Sequence, residues 1–239
     1  MKEINSFKLG VVSGMPICIG YFSVSFAFGI FAIQNGFSVL EAVLISLTNL
    51  TSAGQLAGVP IIAAGGTFIE LAIAQLVINS RYSLMSISLS QKLGKSISML
   101  DRFIISFANT DEVFAVSSAN EGNVGKKYMY GLIIPPILGW TLGTLCGALA
   151  GDVLPDSVSS ALGVAIYGMF IAIVVPPAKK EKSTALCVLL AIILSCLFYY
   201  IPLLKNNVPS GFTIIICAVL ASAVMAFVAP LPVSEDNNE

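Results

Sequence analysis

Residues 66–90 read GTFIELAIAQLVINSRYSLMSISLS and set an arginine inside a largely apolar run. As a helix rising 1.5 Å per residue, the stretch extends ~37 Å, enough to cross a hydrocarbon core of ~30 Å. Arg81 then lies just past the midpoint, where a lone charge costs at least ~2.5 kcal/mol. It needs a carboxylate or a wet cavity. At ~100° per residue Gln75, Asn79, Tyr82, Ser86 and Ser90 share one arc and give the helix a polar stripe. Glu70 shares a face with Arg81 but sits ~16 Å along the axis, too far to pair. The candidate partners are Asp111 and Glu112.

The rest of the chain has the same character. Its 239 residues are 56% hydrophobic and 10% charged, with a mean hydropathy of +0.92. A soluble domain carries about 25% charged residues, so the composition describes an integral membrane protein. Long apolar runs, rather than short alternating ones, make it all-α rather than a barrel. A net charge of −1 without a basic patch gives no reason to expect nucleic acid as a partner. Cys18, Cys146, Cys187, Cys196 and Cys217 stand singly in apolar runs and read as small buried hydrophobes, with neither a disulfide framework nor a metal site expected. The chain has no histidine, which excludes His-based triads, HExxH zinc chemistry and His proton relays. No lysine stands inside an apolar run to form a Ser–Lys dyad, and rhomboid-type GxSG and presenilin-type GxGD are absent. An enzyme is not expected, nor any cofactor.

Along the chain, Leu9–Ile33 reads as a first, retained span; it is too long for a signal-peptide core. Residues 40–66 differ: LEAVLISL, a polar centre TNLTSAGQ, then a second short apolar half. Phe103–Val116 repeats this design in smaller form, FIISFA–NTDE–VFAV. Both read as broken or re-entrant helices, whose irregular backbone is tolerated where it lines a cavity or is buried in protein. Plainer spans follow near 128–150, 158–175, 183–203 and 209–231, and a polar tail closes the chain at 233–239. The expectation is one domain over 1–239, with about six full transmembrane helices and two broken segments. If both broken segments return to the side they left, Lys2, Lys8, Lys92, Lys95, Arg102, Lys126, Lys127, Lys179, Lys180 and Lys182 all share one side, and only Lys205 faces the other. If they cross, Lys92, Lys95 and Arg102 change sides. The positive-inside rule prefers the first arrangement, with both termini in the cytoplasm.

Three groups of residues could carry function. Asn109, Asp111 and Glu112 bring two adjacent carboxylates into an apolar segment. Adjacent helical residues point ~100° apart, so only one acid reaches Arg81 and the other is free to carry a proton. Asn49, Ser52, Gln55 and Asn79 are candidate substrate ligands beside the free N–H and C=O groups of broken helix ends, which suit a carboxylate and an ammonium. Gly139, Gly143, Gly147 and Gly151 form consecutive GxxxG steps for close helix packing, either within the chain or against a partner. Trp140, Tyr128, Tyr199 and Tyr200 read as interface or packing aromatics.

These residues resemble a known family. GMPICIGYFSVSFAFGIFA, SAGQ after a short apolar run, NSRYSLM, and TDEVFA before a basic loop are similar to the AzlC-type branched-chain amino acid permeases, the large subunits of a two-component exporter. The resemblance spans roughly 9–150 and includes Gln55, Asn79, Arg81, Asp111 and Glu112. It implies efflux of branched-chain or similar apolar amino acids across the cytoplasmic membrane of a prokaryote, together with a small hydrophobic AzlD-type subunit, while the acid left free by Arg81 is what points to drive by the proton motive force. A non-transporting structural or sensory membrane subunit is the alternative. Ser23, Ser25 and Ser52 stand where the family often has Pro or Gly, and are expected to add polarity near the site.

Overall fold

The computed structural model describes residues 3–155, 168, 171 and 174–229; most of the span expected at 158–175, and the tail 233–239, lie outside them. α1 (Phe7–Gln34) starts on Ser6, whose hydroxyl accepts from Leu9 N, and continues through Pro16. It ends in a Schellman turn: Gly36 takes φ +84°, while Gly36 N and Phe37 N donate to Ile33 O and Ala32 O. The polar centre expected within 40–66 breaks a helix into α2 (Val39–Thr48) and α3 (Ser52–Ala63), and Gly65 closes α3 with a second such turn. α4 (Phe68–Lys92) carries Arg81. The second broken segment is α5 (Met99–Phe107) and α6 (Asp111–Ser118). α7 (Lys126–Val153), α8 (Lys182–Tyr200), the short α9 (Pro202–Asn207) and α10 (Ser210–Val228) follow.

Backbone hydrogen bonds decide the path. Ile4 N donates to Asn123 O and Gly125 N to Ile4 O, while Val124 N donates to Lys92 O and Gly94 N to Val124 O. The starts of α1 and α7 and the end of α4 are therefore stitched together at one end of the bundle. The α5–α6 hairpin leaves that end and returns to it. α1 runs to the opposite end and α4 runs back, so the α2–α3 hairpin between them enters and leaves at the opposite end. α10 also starts there, because Gly211 N donates to the buried Glu70 carboxylate over 2.7 Å. Lys8, Lys92, Lys95, Arg102, Lys126 and Lys127 gather at the stitched, basic end, and Lys205 lies at the other. Cysteines placed at Lys95 and Lys126 should thus react with an impermeant thiol reagent from the same face, in whole cells or in inverted vesicles but not one in each. Opposite labelling would mean that α5–α6 crosses.

Among the described residues, four helices are long and apolar enough to cross a membrane: α1, α7, α8 and α10. α4 is comparable in length, but its polar stripe makes it much less apolar. The glycine ladder is used within the chain. A Cβ on Gly139, Gly143 or Gly147 would collide with the carbonyls of Cys18, Phe22 and Phe26 on α1, so the two helices run parallel in backbone contact. Ser25, fully buried, lies in this seam and donates to Tyr21 O over 2.7 Å; Ser23 donates to Ile19 O. Neither lines the site, which corrects the expectation that both add polarity there.

At the basic end the foot of α5 is tied to α7. The Asp101 carboxylate, 6% exposed, accepts from Lys126 Nζ at 2.8 Å, from Ser98 N and Oγ at 2.9 and 2.6 Å, and from Tyr130 Oη at 2.9 Å. Lys126 above all, and then the Ser98 hydroxyl and N–H, hold its pKa well below the usual carboxylate range. A depressed folded value stabilises the fold above the unfolded pKa of ~3.9 and loses that effect as pH falls through the folded value. Asp101→Asn should therefore lower Tm at pH 7. The two melting curves should converge only as the buffer is taken from about pH 4 into strongly acidic conditions.

Candidate functional site

The site forms where both hairpins stop being helical against the middle of α4. Asn49 has extended backbone (φ −145°, ψ 99°), and Thr51 restarts the first hairpin by accepting from Gly54 N at 3.0 Å. Ala108 (φ −106°, ψ 17°) ends α5 and Thr110 is the N-cap of α6, but its hydroxyl makes no capping bond. Asp111 and Glu112 are thus the first two residues of α6, where the helix dipole favours negative charge.

α4 holds both hairpins with the polar stripe read from its sequence. Gln75 Nε2 donates to Gly54 O at 2.8 Å, and Asn79 Nδ2 to Gln75 Oε1 at 3.1 Å. Two residues further on, Arg81 Nη1 meets Asp111 Oδ2 at 2.7 Å. Asn109 Nδ2 donates to Ser86 Oγ at 3.1 Å, below the pair. The ion pair expected for Arg81 forms, with Asp111 as its acid. Glu112 turns away and accepts from the Tyr21 hydroxyl of α1.

Arg81 and Asp111 are not sealed in protein. Their side chains are 51% and 43% exposed, on the wall of a cavity of about 740 Å³ between α1, α3, α4, α6 and α7. That volume lies in the range of small-molecule sites. Ile17, Val24, Leu50, Ala115 and Val116 give it apolar walls; Tyr21, Ser52, Tyr82, Thr110, Asp111, Glu112 and Arg81 supply polar groups. The guanidinium also sits 5.0 Å from the centre of the Tyr82 ring. Thr110 is 5% exposed and its Oγ1 has no hydrogen-bond partner among the described residues. A buried hydroxyl with no partner is costly, so a donor or acceptor on a guest molecule would be favoured beside it.

The sequence-derived site residues divide three ways. Ser52, Arg81, Asp111 and Glu112 line the cavity. Asn79 and Asn109 stand beside it, each with a buried amide oxygen lacking a partner among the described residues, and Asn49 ends α2 at the hairpin tip. Gln55 is 1% exposed and fully engaged: it accepts from Trp140 Nε1 at 2.8 Å and donates to Ser46 Oγ at 2.8 Å. It braces the wall rather than facing the cavity. Trp140, expected at an interface or in packing, is 3% exposed and forms cavity wall edge-on to Tyr21, with ring centres 5.2 Å apart. Tyr128 does pack in the core, at 2% exposure. Sequence reading missed Tyr21, Leu50 and Thr110. A lone tyrosine in GMPICIGYFSV was the available signal for the first, since a buried phenol needs a partner.

The cavity-lining residues run from Pro16 to Trp140. Residues 16–154 match the family described as AzlC protein. The chain belongs to the AzlC family. The match ends with α7, so it contains both hairpins, α4 and every cavity-lining residue, while α8 to α10 fall outside it. An inner membrane protein of Escherichia coli K12, YgaZ, is 28% identical over 229 residues, 93% of this chain and 91% of the relative. An uncharacterized membrane protein of Archaeoglobus fulgidus is 33% identical over 183 residues, 75% of this chain and 79% of the relative. No solved structure matches significantly. This AzlC-family chain is thus a membrane protein with membrane-protein relatives.

Proposed function

We propose that the chain is a secondary transporter that exports branched-chain or similar apolar amino acids across the cytoplasmic membrane, driven by the proton motive force, together with a small hydrophobic AzlD-type subunit, and that its basic end faces the cytoplasm. One observation carries this reading: Arg81, in mid-bundle, is paired with one of two adjacent carboxylates on the open wall of a largely apolar cavity. An apolar zwitterion needs a cation for its carboxylate, an anion or carbonyls for its ammonium, and a dry wall for its side chain. Arg81, Asp111 and the Ile17–Val24–Val116 wall supply these three. Ser52 and Thr110 complete the ligand set from the cavity wall, Asn49 and Asn109 stand at the hairpin tips beside it, and Asn79 and Gln55 brace it. Glu112, outside the ion pair, carries the proton.

The test is counterflow of labelled amino acids in proteoliposomes, with and without a co-purified small subunit. Accumulation of leucine, isoleucine or valine against unlabelled counter-substrate supports transport, and full activity of the chain alone removes the partner from the proposal. Glu112→Gln separates coupling from binding: pH-driven uptake should be lost while exchange continues. Wild-type pH dependence in this variant would end the proton-carrier role of Glu112.

A further inference from the structure

The first arms of the two hairpins, α2 and α5, repeat one another in a single register. SVLEAVLISLTN at 38–49 aligns with SMLDRFIISFAN at 98–109, with Ser38/Ser98, Leu40/Leu100, Ile45/Ile105, Ser46/Ser106 and Asn49/Asn109 identical. Both begin with a capping box, Ser38–Glu41 and Ser98–Asp101, and both break just after the shared Ser. Each follows a long helix, α1 or α4, and the two units enter from opposite ends of the bundle. That is an inverted repeat whose broken helices meet at mid-depth, the arrangement through which one site can be exposed to two sides in turn.

The copies are not in the same state. Ser46, 0% exposed, is sealed by Gln55 and by Thr144 of α7 at 2.7 Å. Its mate Ser106 donates its hydroxyl to Phe103 O, with no other side-chain bond among the described residues, and lines a second cavity of about 230 Å³ at the basic end, between α4 and α5. Ala42 is likewise sealed, while its mate Arg102 lines that vestibule. Asn109 borders the vestibule and Thr110, the next residue, borders the central cavity. A single hairpin tip separates the two spaces.

We infer that the α5–α6 hairpin is the gate between the central cavity and the basic end, that this structure is the state poised to open there, and that the second state exchanges the roles of the two hairpins, burying Ser106 and exposing Ser46 to the opposite end. This deepens the transport reading and rests on it for its purpose, but the exchange of roles is measurable without a substrate. Single cysteines at Ser46 and Ser106, in full-length protein stripped of its native cysteines, report access to an impermeant maleimide. Ser106→Cys should label from the basic end and Ser46→Cys slowly from the opposite end. Filling the vestibule with Leu93→Trp should hold the gate ajar and slow Ser46→Cys labelling at least about tenfold. Ala42→Cys repeats the measurement should Ser46→Cys fail to fold. Equal labelling of these reporters with and without the tryptophan overturns the proposal, as does labelling of Ser46→Cys and Ser106→Cys from the same face. Counterflow by the wild type is scored separately, so a failed transport reading and a failed gate give different results.

Discussion

Arg81→Leu is expected to fold and to lose amino-acid counterflow by roughly thirty-fold or more, since truncating a charged partner that binds a carboxylate costs about 2–5 kcal/mol. The half-exposed setting of the pair decides that the protein survives. In a dry interior, removing one partner strands a charge and costs about 3–5 kcal/mol. Here Asp111 opens onto a cavity of about 740 Å³ and stands at the first position of α6, where the dipole still favours its charge. Arg81→Lys should recover only part of the flux, because an ammonium lacks the planar fork. The double variant Arg81→Leu with Asp111→Leu distinguishes a ligand from a tether. If the pair merely ties α4 to α6, the double variant transports; if Arg81 receives the substrate, it folds and stays inactive. The chain's one tryptophan, Trp140, forms part of the cavity wall, so its fluorescence reports binding independently of flux.

The other large effect is on folding. Gly147→Leu is expected to yield no folded protein, because the Phe26 carbonyl and Cα occupy the place of a side chain there, and backbone cannot turn aside as a flexible side chain can. Even Gly147→Ala should cost about 1–3 kcal/mol through overpacking. Gly151→Ala should be milder, its nearest neighbour being Ile30 Cα at 3.1 Å, and Gly20→Ala, with nothing within 4 Å of the added Cβ in mid-α1, should keep or slightly raise Tm, because alanine is the better helix former. Thermal unfolding in detergent checks the series. A tolerated Gly147→Leu would place the α1–α7 seam elsewhere.

Composition and pattern alone determined that this chain is an all-helical membrane protein, that Arg81 must find an acid near 111–112, and that helices are interrupted within 40–66 and 103–116. Those conclusions rest on local physics. A charge in an apolar run needs a partner, and Asn, Thr and adjacent acids favour helix starts over helix interiors. The GxxxG steps likewise announced close packing, though not with which helix. The tertiary structure decided what depends on contacts distant in sequence. Backbone hydrogen bonds tying Ile4 and Lys92 to the 123–125 segment showed that α5–α6 returns to the end it left, which fourteen residues of pattern could not distinguish from a crossing. The ladder's partner proved to be α1, set by backbone approach along the whole seam. Asp111 rather than Glu112 took Arg81, because the azimuth of α6 against α4 turns Glu112 towards Tyr21. Gln55 looked like a ligand and became a brace, since an amide in a membrane bundle bonds whichever polar group packing brings near, here Trp140 and Ser46.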